Sequence, residues 1–238
     1  MFQAIRSLAL IATVAVVTGC AAPVPRIDAS PGAIANVKTI AVIRSPEPKT
    51  YTVMNFGHPG MAFGLIGGLV AAADQNSRQE RLTQAVKEKS PIPTSGTLAD
   101  SIATRLARQG FEAKVEDGPW EESDGRYKLD FEKINSSADT VLVVTPTIVG
   151  FIATGVTSDY FPTVTAVVTL LGKDRKEQLY RGFHAAGWGP AADGWRHTSP
   201  KVTFPNFDAL MADPAKAAGA LSDAASEVAE TVAQDLRR

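Results

Sequence analysis

The sequence predicts a single α+β domain, a mixed β-sheet with helices packed mainly on one face. Three observations carry that expectation. β-rich runs recur at residues 37–43, 138–152 and 163–171 without alternating regularly with helical stretches. Two stretches carry helical periodicity with clear end signals. A polar Gly172–Lys176 turn between two β-rich runs marks a hairpin, so part of the sheet is antiparallel.

Element by element, residues 37–43 read as a buried strand ended by Pro46 and Pro48, with a further short strand near residues 51–54. A glycine-rich helical insertion follows at about residues 55–90, its polar half, from Asp74 to Lys89, continuing as a solvated helix. Thr97 and Asp100 match a capping box, and Leu98, Ile102 and Leu106 give the next helix its apolar face. Gly110 suits the left-handed position that ends it, with Phe111 closing the turn before a strand at residues 111–115. Residues 117–137 are polar and predict a loop with a short helix. Pro146 interrupts the next strand and implies a bulge or an edge. Residues 187–204 read as a loop rich in Gly, Pro and aromatics. Asp213 and Pro214 cap a terminal helix whose stripe is Leu221, Ala225, Val228, Val232 and Leu236.

The N-terminus has a different character. Arg6 precedes an apolar run of about ten residues, which fits an export signal and is too short for the ~20 residues of a bilayer span. Val17, Thr18, Gly19 and Cys20 resemble the lipobox of bacterial lipoproteins. That resemblance implies cleavage between Gly19 and Cys20 and acylation of Cys20, the only cysteine in the chain. Several acyl chains anchor strongly, because each buried CH₂ adds about 0.8 kcal/mol. The resemblance also implies a membrane-anchored, periplasm-facing protein. Ala21 stands where lipoproteins retained at the inner membrane of some bacteria carry Asp, which points to the outer membrane. The division expected is residues 1–19 as signal peptide, 20–36 as a flexible tether, and 37–238 as the domain. Extended, the segment 21–36 reaches about 50 Å at ~3.3 Å per residue.

Composition sets further bounds. A hydrophobic content of 45%, a charged content of 21% and a net charge of −1 suit a globular domain and give no basic footprint for nucleic acid. His58, His184 and His197 form no zinc-ligand pair, and no cofactor or metal is expected. Gly64 to Gly67 resembles a phosphate loop in glycine content alone, lacking the Lys-Ser/Thr that follows in one.

Three features remain as candidate sites. Gly60, Gly64, Gly68 and Ala72 recur every four residues and would align on a helix as a surface for close helix association or as tight internal packing. Phe63, Leu65, Ile66, Leu69 and Val70 would occupy the other side. Trp188, Trp195 and Arg196 lie in one loop, as a recognition surface or as rings pinning the loop to the core. Asp139 and Asp159, near strand ends, are the carboxylates a periplasmic hydrolase would use, with capping as the plainer role.

The helix ending at Gly110 and Phe111, the strand opening at Ala138 to Leu142, the hairpin and the terminal helix together resemble small periplasmic lipoprotein domains. These include the TolB N-terminal domain, the curli-secretion lipoprotein and the lipoprotein activators of penicillin-binding proteins. Over residues 37–238 this implies a non-catalytic binding or assembly factor of the cell envelope, partnered by an envelope protein or by itself. The alternative expectation is a hydrolase using Asp139 or Asp159.

Overall fold

An apolar, valine-rich run, Val141 to Val144, is buried at 2% exposure or less and belongs to the strand that organises the molecule, β6 (Thr140–Ala153). The structure is a computed structural model describing residues 25–60, 64–89, 93–123, 126–155, 159–190 and 194–237. One edge of β6 pairs antiparallel with β7 (Phe161–Leu171), which pairs antiparallel with β8 (Gln178–Ala186). The other edge pairs with two parallel strands in succession. β1 (Thr39–Arg44) lies beside Thr140 to Val143, and β2 (Thr52–Asn55) beside Gly150 to Ala153. β3 (Glu112–Asp117) pairs parallel with β1 at one border, and β9 (Trp195–Thr198) parallel with β8 at the other. The result is a mixed seven-stranded sheet among the described residues.

Two helices cover one face, α3 (Thr94–Arg108) and α5 (Pro214–Asp235). Leu98, Ile102 and Leu106 meet Leu221, Ala225, Val228 and Val232, all 0–1% exposed. Each large side chain contributes about 1.5–3 kcal/mol by leaving water. Ala99, Ala103, Ala218 and Ala224 let the backbones approach. The end signals are as the sequence predicts at two of three termini. Asp213 accepts from the Lys216 amide at 2.9 Å. Gly110 has φ 90°, and the amides of Gly110 and Phe111 donate to Ala107 and Leu106, the double bond of a Schellman turn.

The third terminus differs. α3 starts three residues before Thr97, whose hydroxyl donates back to Pro93 O at 2.9 Å inside the first turn. Its cap comes from afar: the Gly96 amide donates to Glu47 Oε1 at 3.0 Å.

Several expected loops are structured. Residues 117–137 contain a hairpin, β4 (Trp120–Ser123) with β5 (Arg126–Leu129), before a 3₁₀ turn at Phe131–Lys133. Trp120 and Leu129 pack on Ile43 and Val143, covering the sheet face opposite α3 and α5. Residues 187–204 contain β9. Pro146 sits at a bulge, where the β6–β7 register shifts between Pro146 and Ile148.

The expected tether at 20–36 is docked where it is described. Ile27 bridges Arg181 through two backbone bonds of 2.8–2.9 Å, and α1 (Pro31–Ala35) buries Ile34. The insertion is a long helix, α2 (Gly64–Lys89), and its polar half is not fully solvated: Leu82 and Val86 enter the core. A short helix, α4 (Phe207–Ala212), packs on α2 and α5.

Candidate functional site

The start of α2 carries the most exposed of the large apolar side chains among the described residues. Ile66, Leu69 and Val70 are 78%, 64% and 59% exposed, while Gly67 and Ala71 face inward. Of the glycine repeat, Gly60 lies outside the helix, where an added Cβ would sit 2.6 Å from Gly67 O. A Cβ at Gly68 would meet nothing within 4 Å, and Ala72 is exposed. Gly64 opens the helix. The repeat therefore does not form one straight helical line. Gly68 borders the exposed apolar side rather than an internal contact.

A second feature is a cleft of about 540 Å³ where the sheet is interrupted. β1 leaves β6 after Val143 and β2 rejoins it at Gly150, so residues 144–149 have no strand partner on that side. Pro46 and Pro48, which cannot donate to a ladder, carry the chain outward between the two strands. Gly150 is required at the rejoining point, because a Cβ there would lie 1.9 Å from Thr52 O. The hairpin closes the cleft with Trp120 and Tyr127.

The third is a buried polar cluster between β8, α5 and the N-terminal segment. Tyr180 Oη lies 2.6 Å from His184 Nε2 and 3.0 Å from Asp235 Oδ2. His184 Nδ1 lies 2.8 Å from Thr231 Oγ1, whose hydroxyl donates to Val228 O. Arg26 donates to Asp235 at 2.5 Å and Arg196 at 3.2 Å. Burial pushes the His184 imidazole down to about 4, with Arg26 and Arg196 adding to the effect and Asp235 opposing it. Burial and the Asp235 charge push the Tyr180 phenol well above its ordinary range. The cluster holds charges in place and ties Arg26 to the far end of the chain. Sequence reading missed it. The available signal was parity, since Tyr180 and His184 are polar groups at inward positions of β8 that they share with Gly182 and Ala186.

The remaining candidates take structural positions. Asp139 accepts from the Lys38 and Thr39 amides at 3.0 Å each, and these bonds hold its carboxyl below the usual range. Asp159 is exposed and accepts from Thr203. Neither meets His184, whose side-chain partners are Tyr180 and Thr231, with Asp235 3.8 Å away. Trp188 stacks on Phe56 at 5.3 Å, and Trp195 lies between Phe183 and His197. Both rings are half-buried, and Arg196 donates to Asp235. Gly19 and Cys20 lie outside the described residues. Among those residues no group of three His, Cys, Asp or Glu is placed to hold a metal, and no helix is long and apolar enough to cross a membrane.

No family model and no curated protein matches the chain. Among solved structures it is similar to a PelC dodecamer from Paraburkholderia phytofirmans, at 13% identity and a TM-score of 0.38 over 90% of this chain and 96% of that one. A point variant of the same PelC dodecamer gives 14% identity and a TM-score of 0.35, over 85% and 90% respectively.

Proposed function

We propose that this chain is a lipoprotein of the bacterial envelope, acylated at Cys20, facing the periplasm at the outer membrane, and acting as a binding or assembly factor without catalysis. Its domain associates with further copies of itself through the outer side of α2. The observation that carries this reading is the exposure of Ile66, Leu69 and Val70 beside an open Gly68. Three exposed apolar side chains on adjoining turns favour a covered state. Glycine favours a particular cover. It costs a helix about 1 kcal/mol against alanine and fills no internal need at Gly68. A fluid lipid surface gains nothing from a missing Cβ, whereas a second helix gains close approach. The Val17–Cys20 motif supports the anchor.

The test is the oligomeric state of the detergent-solubilised protein across a range of concentrations. The expected result is a concentration-dependent oligomer that Gly68→Leu and Leu69→Glu each convert to monomer with an unchanged circular dichroism spectrum. A wild type that stays monomeric, or variants that associate as before, overturns the self-association. Labelling by a fatty-acid analogue, abolished in Cys20→Ser, tests the anchor; retained labelling overturns it.

A further inference from the structure

We propose that the cleft at the break in the sheet binds a neutral saccharide, edge-on to the Ser/Thr hydroxyls and face-on to Trp120 and Tyr127. This is independent of self-association through α2.

The chemistry of the walls narrows the ligand. Six hydroxyl side chains line the cleft: Ser45, Thr50, Thr52, Ser95, Thr145 and Thr147. Ser45 and Ser95 donate to Pro46 O and Thr147 pairs with Thr165, so these three chiefly offer acceptors, while Thr50, Thr52 and Thr145 can donate and accept; together they suit a partner that does both around its rim. Trp120 and Tyr127 add flat ring walls, with Lys49 Nζ 6.0 Å from the Tyr127 ring centroid on one of its faces. The Trp120 ring is held in place by its indole N–H, which donates to Arg44 O at 2.7 Å. A sugar ring combines those two demands, with hydroxyls at its edge and C–H groups on its faces.

Charge argues against ionic ligands. Among the described residues the lining contains no carboxylate, histidine or arginine. Its single cation among them, Lys49, is paired with Glu122. The start of α3 would otherwise attract an anion, but Gly96 already donates to Glu47. An extended peptide is disfavoured by the backbone. Pro146 has no N–H to offer, and the bulge beside it breaks the repeat an added strand would follow. The volume of about 540 Å³ falls within the ~300–1,000 Å³ typical of small-molecule sites.

The experiment titrates the detergent-solubilised full-length protein with maltotriose, cellotriose and N-acetylated chitotriose. It follows the indole N–H resonance of Trp120, assigned through Trp120→Phe. The expected result is a saturable shift with at least one of the three. Tyr127→Ala and Thr145→Val should each weaken binding about tenfold, equivalent to ~1.4 kcal/mol. Tyr127→Phe, which keeps the ring, should retain it. Circular dichroism of each variant separates lost binding from lost folding. No saturable shift with any sugar overturns the proposal. So does undiminished binding by folded Tyr127→Ala, or a saturable shift with an extended Thr-Val peptide in place of the sugars.

Discussion

Tyr180 Oη lies 2.6 Å from His184 Nε2, and the contact belongs to a chain that is one proton short when His184 is neutral. Four contacts run from Val228 O through Thr231, His184 and Tyr180 to Asp235. Thr231, Tyr180 and a neutral imidazole supply one proton each. An imidazolium would supply the fourth, but burial and the nearby Arg26 and Arg196 oppose it. The folded pKa of about 4 lies below the ordinary 6.5, so the unfolded chain binds the extra proton first. Stability contributed by neutral His184 is present above pH ~6.5 and is lost as pH falls toward 4. The full loss is on the order of 3 kcal/mol. Melting temperatures between pH 6.5 and 5, above most carboxylate titration, should fall for the wild type and stay flatter for His184→Gln. Equal slopes would remove His184 from the explanation.

Arg26→Ala should loosen the N-terminal segment. Asp235 is 7% exposed and would lose one of its two guanidinium partners. Leaving a buried charge underpaired costs about 3–5 kcal/mol, and the retained Arg196 should bring the loss to the lower end. Hydrogen exchange locates the effect: the Ile27 amide, which donates to Arg181 O at 2.9 Å, should exchange faster. Unchanged protection at Ile27 would mean that the segment is held by α1 alone.

Gly182→Ala should be costly although it adds one methyl group. Its Cβ would lie 1.8 Å from Tyr180 Oη and 2.5 Å from His184 Nε2. Tyr180 and His184 are fully buried and have no free space to retreat into. Overpacking of this kind costs about 1–3 kcal/mol, and the displaced hydrogen bonds add to it. Denaturant melts measure the loss; a change under 0.5 kcal/mol would show that β8 shifts freely.

Glu47→Gln should stabilise the protein at neutral pH. Burial raises the Glu47 carboxyl above its ordinary range despite the amides of α3 that lower it. Its Oε2 is buried without a hydrogen-bond partner. For an acid with a raised folded pKa, stability declines as pH rises through that value. Glutamine keeps an acceptor for Gly96 and removes the charge. Its melting temperature should exceed that of the wild type at pH 7, with the difference shrinking toward pH 4. A lower melting temperature at pH 7 would show that the charge itself serves as the cap of α3.

The long strands and the two core helices were legible because their signals are local: β-branched runs, a four-residue stripe, a glycine after the last turn. The β4–β5 hairpin was not. Glu121, Glu122 and Lys128 make its strands polar, and its ion pairs run to Lys49 and Lys133 rather than within an alternating pattern. β9 is four residues long and owes its existence to β8. The segment before α1 read as a tether because prolines suggest an extended chain, while Arg26 finds its partner 209 positions away. The cleft unites Ser45, Ser95, Trp120 and Thr145, pieces no single stretch contains. Asp139 and Asp159 were legible as strand-end carboxylates. Their uses depend on neighbours that only folding supplies.

The docking of Arg26 and Ile27 changes the geometry of the proposed anchor. Even fully extended, the six-residue step from an acylated Cys20 to Arg26 would span at most about 20 Å at ~3.3 Å per residue. Such a mooring confines the domain to a thin layer against the bilayer and denies it the width of the periplasm. Confinement to a surface raises the frequency with which neighbouring copies meet, as a short linker raises effective concentration. An α2 contact that forms in detergent only at the upper end of the concentration range would then be held throughout in the membrane, where every copy arrives already gathered and held the same way up.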